Sequence, residues 1–184
     1  MYMEESSFLN PSYALRNAGL REGQAVADFG AGSGFFTRAA ARIVGEAQVW
    51  AVDESGELLT RIKNLSKAEG LHNVEILRAN IEAKGGTSLP KGHFDMVIAA
   101  NILFSADNKE AIIKEIARVL KKSGRALVID WSSSHGGLGP HPDHVISKES
   151  ARQLFEDAGF MLVDSVPAGA YHWGFVVKKK VTKV

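Results

Sequence analysis

Short apolar runs recur along the chain, and most are followed by a segment whose apolar residues repeat at helical spacing. That alternation predicts a parallel sheet covered by helices. The first run, Ala25-Val26-Ala27-Asp28-Phe29, closes on Gly30-Ala31-Gly32-Ser33-Gly34 and leads into a helix from Phe35 to about Val44. A second strand covers Ala47 to Val52 and ends on Asp53, after which Leu58, Leu59, Ile62 and Leu65 share one helical face. Asn73 to Leu77 reads as the third strand and Phe94 to Ala100 as the fourth. Ile112, Ile113, Ile116, Val119 and Leu120 then form the stripe of an amphipathic helix. Lys121-Lys122-Ser123-Gly124 is expected to end that helix, with the lysines at its negative terminus and Gly124 in the left-handed cap conformation. Arg125 to Trp131 is too short and too continuously apolar for a surface helix, and it reads as a fifth, buried strand.

The stretch Ser132 to Pro142 is rich in Gly, Ser, Pro and His and is longer than an ordinary connection, which marks it as a functional loop. Ser147 is placed to cap a last helix whose face is Ala151, Leu154, Phe155 and Ala158 and which stops at Gly159. Phe160 to Val166 and His172 to Val177, separated by Pro167-Ala168-Gly169-Ala170, form an antiparallel couple appended to the parallel sheet. No internal repeat interrupts this order.

Composition narrows the partners more than the fold. A chain of 184 residues, 45% hydrophobic, fits a single domain with a full-sized core. Lys plus Arg is 22 against 21 for Asp plus Glu, so the charge balance does not call for a nucleic acid or an anionic membrane as obligatory partner. The one basic run, Lys178-Lys179-Lys180, reads as the solvated end of a strand. The chain has no cysteine, which excludes disulfides, thiolate metal sites and thiol nucleophiles and fits a reducing compartment. No apolar stretch approaches a membrane span, and a soluble cytoplasmic protein, monomer or homodimer, is expected.

The candidate chemistry begins at the glycine loop. Glycines after a strand let the backbone turn tightly and approach a ligand, while the helix that follows offers unpaired N–H groups. Phe35 stands where a dinucleotide fingerprint requires its third glycine, which weakens the reading as a nicotinamide-dependent oxidoreductase. Asp28 lies in an apolar strand, where a carboxylate needs a partner: a bound cation or the N–H groups of the loop itself. Asp53, 19 residues after Gly34, is placed either to accept hydrogen bonds from the two hydroxyls of a ribose or to cap the helix beginning near Ser55.

The stretch from Val26 to Gly34 resembles the first signature motif of class I S-adenosylmethionine-dependent methyltransferases, and Val49 to Asp53 resembles the second-strand motif of that family. The resemblance covers roughly residues 8 to 178. It implies a Rossmann-like α/β three-layer sandwich whose seven-stranded, mostly parallel sheet has a C-terminal antiparallel strand. It also implies S-adenosylmethionine as methyl donor, held by Asp28, Gly30, Ala31, Gly32, Gly34, Asp53 and Glu54. Asn80 and Ile81 stand where the family reads the adenine, usually with Asp at the first position; an Asn can still accept from the exocyclic amine. Asn101 and Ile102 match the loop beneath the sulfonium, and Leu120 to Arg125 matches the turn into the fifth strand.

On the acceptor side, methyl transfer from a sulfonium depends mainly on in-line positioning, which can supply about 7–11 kcal/mol of barrier reduction. A base helps when the acceptor is a hydroxyl or an acidic carbon, and histidine suits neutral pH. His135, His141 and His144 cluster in or after the long loop and His172 opens the last strand; His144 and His172 adjoin ordered elements and are the candidate catalytic pair. Their spacing matches no familiar ligand motif, so no metal is assigned. Asp130 and Trp131 are expected to face the ligand crevice, although Trp131 could equally be core, and Phe8-Leu9-Asn10-Pro11 is expected to fold over the donor site as a lid. The chain lacks the Asn/Asp-Pro-Pro-Tyr/Phe box of base-amine methylases after the fourth strand, which favours a small-molecule acceptor over nucleic acid, with the look of quinone-biosynthesis methyltransferases. A binding module that kept the donor site and lost the reaction is the competing class.

Overall fold

The computed structural model describes residues 8–180. Its elements alternate as the hydrophobic pattern requires: α1 (Pro11–Asn17), β1 (Val26–Phe29), α2 (Phe35–Val44), β2 (Val49–Asp53), α3 (Gly56–Ala68), β3 (Val74–Arg78), β4 (Phe94–Ala100), α4 (Lys109–Val119), β5 (Leu120–Trp131), α5 (Lys148–Asp157), β6 (Phe160–Ser165) and β7 (His172–Lys179). The seven strands form one sheet in the order β3-β2-β1-β4-β5-β7-β6. β7 is antiparallel to both of its neighbours, so it alone reverses the sheet direction.

The pleat divides the core into two layers. Val26, Met96, Ile98, Leu127 and Ile129 point to one face, where α1, α2 and α3 pack. Ala27, Phe29, Val97, Ala126 and Val128 point to the other, under α4 and α5. The result is a three-layer α/β sandwich. Strand order reverses between β1 and β4, because the chain runs outward through β2 and β3 and returns to pair β4 beside β1. In open α/β sheets the carboxyl ends at such a switch point leave the crevice in which ligands bind.

Side-chain caps set most helix starts. Asn10 accepts from the Tyr13 N–H at 3.1 Å with Pro11 in the first turn, Ser55 from Leu58, Asn108 from Ala111 and Ser147 from Ser150. The N-terminus of α2 differs: it begins on Gly34 and has no side-chain cap.

The end of α4 departs from expectation. The helix stops at Val119 and the chain is extended from Leu120, so Gly124 is not a left-handed cap. Gly124 is required for proximity instead, since a Cβ there would lie 2.9 Å from the Phe94 carbonyl oxygen. The cation at the helix terminus is Lys179 of β7, whose ammonium donates to the carbonyls of Ala117 and Leu120, while Lys121 pairs with Asp95 at 2.8 Å. The middle lysine of the basic run is therefore a helix cap, and Lys178 and Lys180 beside it are exposed.

Candidate functional site

Gly30, Gly32 and Gly34 all adopt positive φ, at 67°, 52° and 75°. Sterics reinforce two of them: a Cβ on Gly30 would lie 2.3 Å from Ile102 Cγ2, and one on Gly34 would lie 2.6 Å from Ile62 Cγ1. The loop is tied to β2, because the N–H groups of Gly30 and Ala31 donate to the Val52 carbonyl at 2.8 and 3.1 Å. It then delivers the chain into the start of α2, where Gly34 offers no side-chain cap and the first-turn N–H groups lack intrahelical partners, that of Thr37 donating to Asp28 instead.

Asp53 combines the two roles open to it from the sequence. Its Oδ2 accepts from the Gly32 N–H and its Oδ1 from the Ser55 N–H, each at 2.9 Å. Ser55, not Asp53, is the helix cap. Two bonds leave a carboxylate with acceptor capacity for further donors. Asp28 is buried on the α2 side of the sheet and accepts from the Thr37 hydroxyl at 2.6 Å. Burial pushes its carboxyl up to about 7, against the stabilising hydrogen bonds from Thr37, and the charge of Asp53 adds to the rise. Thr37 escaped the sequence reading; its only signal was a hydroxyl in the first turn of a helix, between Phe36 and Arg38.

Two cavities meet at Gly30. The larger, about 720 Å³, is bounded by the glycine loop, Asp28, Asn101, Trp131, His172 and the Phe8–Pro11 segment. The smaller, about 250 Å³, lies beyond β2 between Ile81 and Ile102, with Asp53 and Glu54 on its wall. Asn80 is exposed beside this slot, and its amide oxygen accepts from the Glu82 N–H at 2.7 Å, closing a local turn. Ala31 lines the larger cavity. Asn101 stands at φ 57°, the one described non-glycine residue at positive φ, and its buried Oδ1 has no hydrogen-bond partner. A non-glycine residue held there is worth about 1–3 kcal/mol of strain, a cost that gathers at functional sites.

Asp130 and Trp131 do not share the crevice. Successive residues of a strand point to opposite faces. Asp130 is fully buried on the α4 side, where it accepts from the N–H groups of Leu103 at 2.9 Å and Phe104 at 3.2 Å, and burial pushes its carboxyl up to about 6. It holds the loop after β4 in shape. Trp131 faces the cavity and packs against His172, the rings tilted by 36° with centroids 4.3 Å apart.

The two candidate catalytic histidines are separated. His144 is exposed in the 3₁₀ turn Pro142–His144 and borders a different pocket, formed with Phe104 and Ser147. His172 lines the main cavity, and both of its ring nitrogens are buried without a partner among the described residues. Burial, and next the charge of His135, hold its imidazole below the ordinary pKa. The Phe8–Pro11 segment borders the cavity as a strap: the Phe8 ring lies 5.5 Å from Tyr171, and the backbone passes close enough to Gly169 to exclude a Cβ there.

The sequence profile described as a methyltransferase domain matches residues 26–124. The chain is 35% identical over 122 residues to the ubiquinone/menaquinone biosynthesis C-methyltransferase of Shewanella pealeana, a match covering 65% of this chain and 47% of that protein. It is 33% identical over 129 residues to the enzyme of the same name from Laribacter hongkongensis, covering 70% and 51%. The chain thus spans about half the length of these curated relatives. Among solved structures, a SAM dependent methyltransferase from Aquifex aeolicus superposes with a TM-score of 0.84 at 28% identity, covering 93% of this chain and 90% of that one. A putative type 11 methyltransferase from Sulfolobus solfataricus shares the fold, with a TM-score of 0.75 at 22% identity over 97% and 96% of the two chains.

Proposed function

The chain belongs to the methyltransferase domain family, and from that premise we propose that it transfers a methyl group from S-adenosylmethionine to a small-molecule acceptor. The observation that carries this reading is the construction around Gly30: a glycine loop pinned to β2, an acidic side chain closing it, and a cavity on either side. A donor with an adenosine end and an amino-acid end spans two such spaces. Ile81 and Ile102 offer apolar walls to a flat base, Asp53 the acceptors for ribose hydroxyls, and the first N–H groups of α2, ahead of the Thr37 N–H that Asp28 engages, a seat for a carboxylate. The orphaned Asn101 Oδ1 and the ionised form of the Asp28 carboxyl suit a ligand that carries positive charge.

When bound, the donor supplies an already activated methyl group on a cationic sulfur. The residues of this chain then have to hold the two partners in line and keep water out, which is where most of the barrier reduction of such a transfer lies. Trp131, Phe36 and the Phe8–Pro11 strap provide the apolar enclosure. We take the chain to act as one domain in the cytoplasm, as monomer or homodimer; among the described residues no helix is long and apolar enough to cross a membrane.

Calorimetric titration of S-adenosylmethionine and, separately, NAD tests the reading, with Asp53→Ala as control. Binding of the sulfonium that collapses in the variant is the expected result. A response to NAD alone would reassign the loop to a dehydrogenase. Donor binding without turnover on any acceptor would leave a binding module.

A further inference from the structure

The acceptor end of the large cavity has a distinct chemistry. Its walls are aromatic and apolar, from Phe8, Leu9 and Trp131, and among the described residues no Lys or Arg lines the cavity. An acceptor carrying a carboxylate or phosphate would be desolvated there without a counter-charge. The orphaned imidazole of His172 stands out against this wall. Its two nitrogens are buried and, among the described residues, bonded to nothing, yet the ring is held in place by packing at a 36° tilt against Trp131, the residue it opposes across β5 and β7. A buried polar group without a protein partner calls for an explanation, and inside a ligand-sized cavity the simplest one is a ligand.

Transfer of a methyl cation to a neutral acceptor releases a proton. Two titratable groups line the cavity, Asp28 and His172. Asp28 is engaged by Thr37 beneath the glycine loop, at the donor end. His172 sits on the far wall, with Trp131 and the Phe8 strap.

Resting on the donor reading above, we propose that the acceptor is an uncharged molecule bearing an O–H or N–H group, and that His172 is the residue that takes its proton. In this step the methyl–sulfur bond breaks with its electron pair on sulfur. The acceptor atom uses a lone pair to form the new bond to the methyl carbon. The bond from that atom to hydrogen gives its pair back to the acceptor, and the proton moves to a His172 ring nitrogen and leaves to water with the product. The charged or titratable groups around His172 are His135 from the loop after β5, Tyr171 beside it, and Asp28 across the cavity. The first of these and burial both favour the neutral imidazole that the step needs.

The test uses wild type, His172→Ala and His172→Phe, the last preserving a ring against Trp131. Donor affinity is measured on all three by calorimetry, and formation of S-adenosylhomocysteine is followed with 4-ethylphenol and 4-ethylaniline against 4-hydroxybenzoate and phenyl phosphate. Expected are unchanged donor affinity, turnover in wild type with the uncharged probes only, a loss of about 10²–10⁴-fold in both variants, and partial rescue of His172→Ala by added imidazole. In the donor-loaded wild type, 4-ethylphenol should also shift the NMR resonances of the His172 ring nitrogens. With donor bound, the proposal is overturned by turnover confined to the charged probes, by silence with all four, by full activity in His172→Ala, or by a loss that imidazole does not rescue. Failure of the wild type to bind the donor would instead sink the reading on which it rests.

Discussion

At the scale of single residues, Asp28 ties stability to pH. The folded protein keeps its proton up to about pH 7, whereas the unfolded chain releases it near the ordinary carboxylate value of 3.8. Between those limits the folded state holds more protons, so stability falls as pH rises through the window, by on the order of 4 kcal/mol in all. Asp28→Asn keeps an acceptor for the Thr37 hydroxyl and removes the charge. Urea unfolding should find its stability advantage over wild type larger at pH 8 than at pH 5 by roughly 2–3 kcal/mol. Asp130, pushed up to about 6, contributes a slope of the same sign, so the variant flattens the pH dependence without abolishing it. An unchanged gap between the two pH values would mean that Asp28 is ionised throughout. Gly30→Ala tests the loop on different grounds, through the positive φ and the contact with Ile102. Left-handed strain of about 1–2 kcal/mol plus overpacking of about 1–3 kcal/mol is expected. Gly30→Ala with Ile102→Ala should recover only the packing part, measured as a double-mutant cycle of unfolding free energies.

At the scale of elements, the long connection between β3 and β4 is fastened by a polar cluster on α4. Glu115 is almost fully buried, and its Oε1 accepts from the Thr87 N–H at 2.8 Å and the Thr87 hydroxyl at 2.6 Å. Burial pushes its carboxyl up, but the Arg118 and Thr87 hydrogen bonds outweigh that and hold it below the usual range. Arg118 completes the clasp on the carbonyls of Thr87 and Leu89. Arg118→Ala would leave the buried carboxylate with only its Thr87 donors, and because those remain and the guanidinium is itself partly exposed the cost should fall below that of breaking a fully buried pair, at about 2–3 kcal/mol. Hydrogen exchange should quicken across residues 79–93 while β1 and β4 stay protected; uniform loss across the sheet would count against a local clasp. This cluster shows where the sequence stops being legible. The strands, α2 to α5 and the glycine loop follow from periodicity and turn chemistry, which are local. The Glu115 clasp, the Lys179 cap on α4 and the partition of Asp130 from Trp131 join residues far apart in the chain or depend on which face a pleat presents. Four histidines near the last strands could be named from sequence; that only His172 lines the large cavity depends on the register between β5 and β7.

At the scale of the whole molecule, the strand-order reversal places the β1 and β4 ends side by side, and β7, running opposite to β5, brings its first residue to that same edge. Residues from positions 28, 101, 131 and 172 therefore border one cavity although they span most of the chain. A ligand seated there binds only the folded state, since no unfolded chain juxtaposes these groups. Donor at 100 times its dissociation constant should then stabilise the fold by about 2.7 kcal/mol. For a domain of this size each kcal/mol moves the midpoint by about 2–4 °C, so thermal unfolding should shift upward by roughly 5–10 °C. The two cavities that meet at Gly30 make the shift diagnostic. Asp53→Ala removes the contact that ties β2 to Gly32 and should lose most of the shift, whereas His172→Ala, which alters only the acceptor wall, should keep it. Loss of the shift in both variants would mean that the two cavities act as a single undivided site, and that donor and acceptor compete for the space between Asp28 and Trp131.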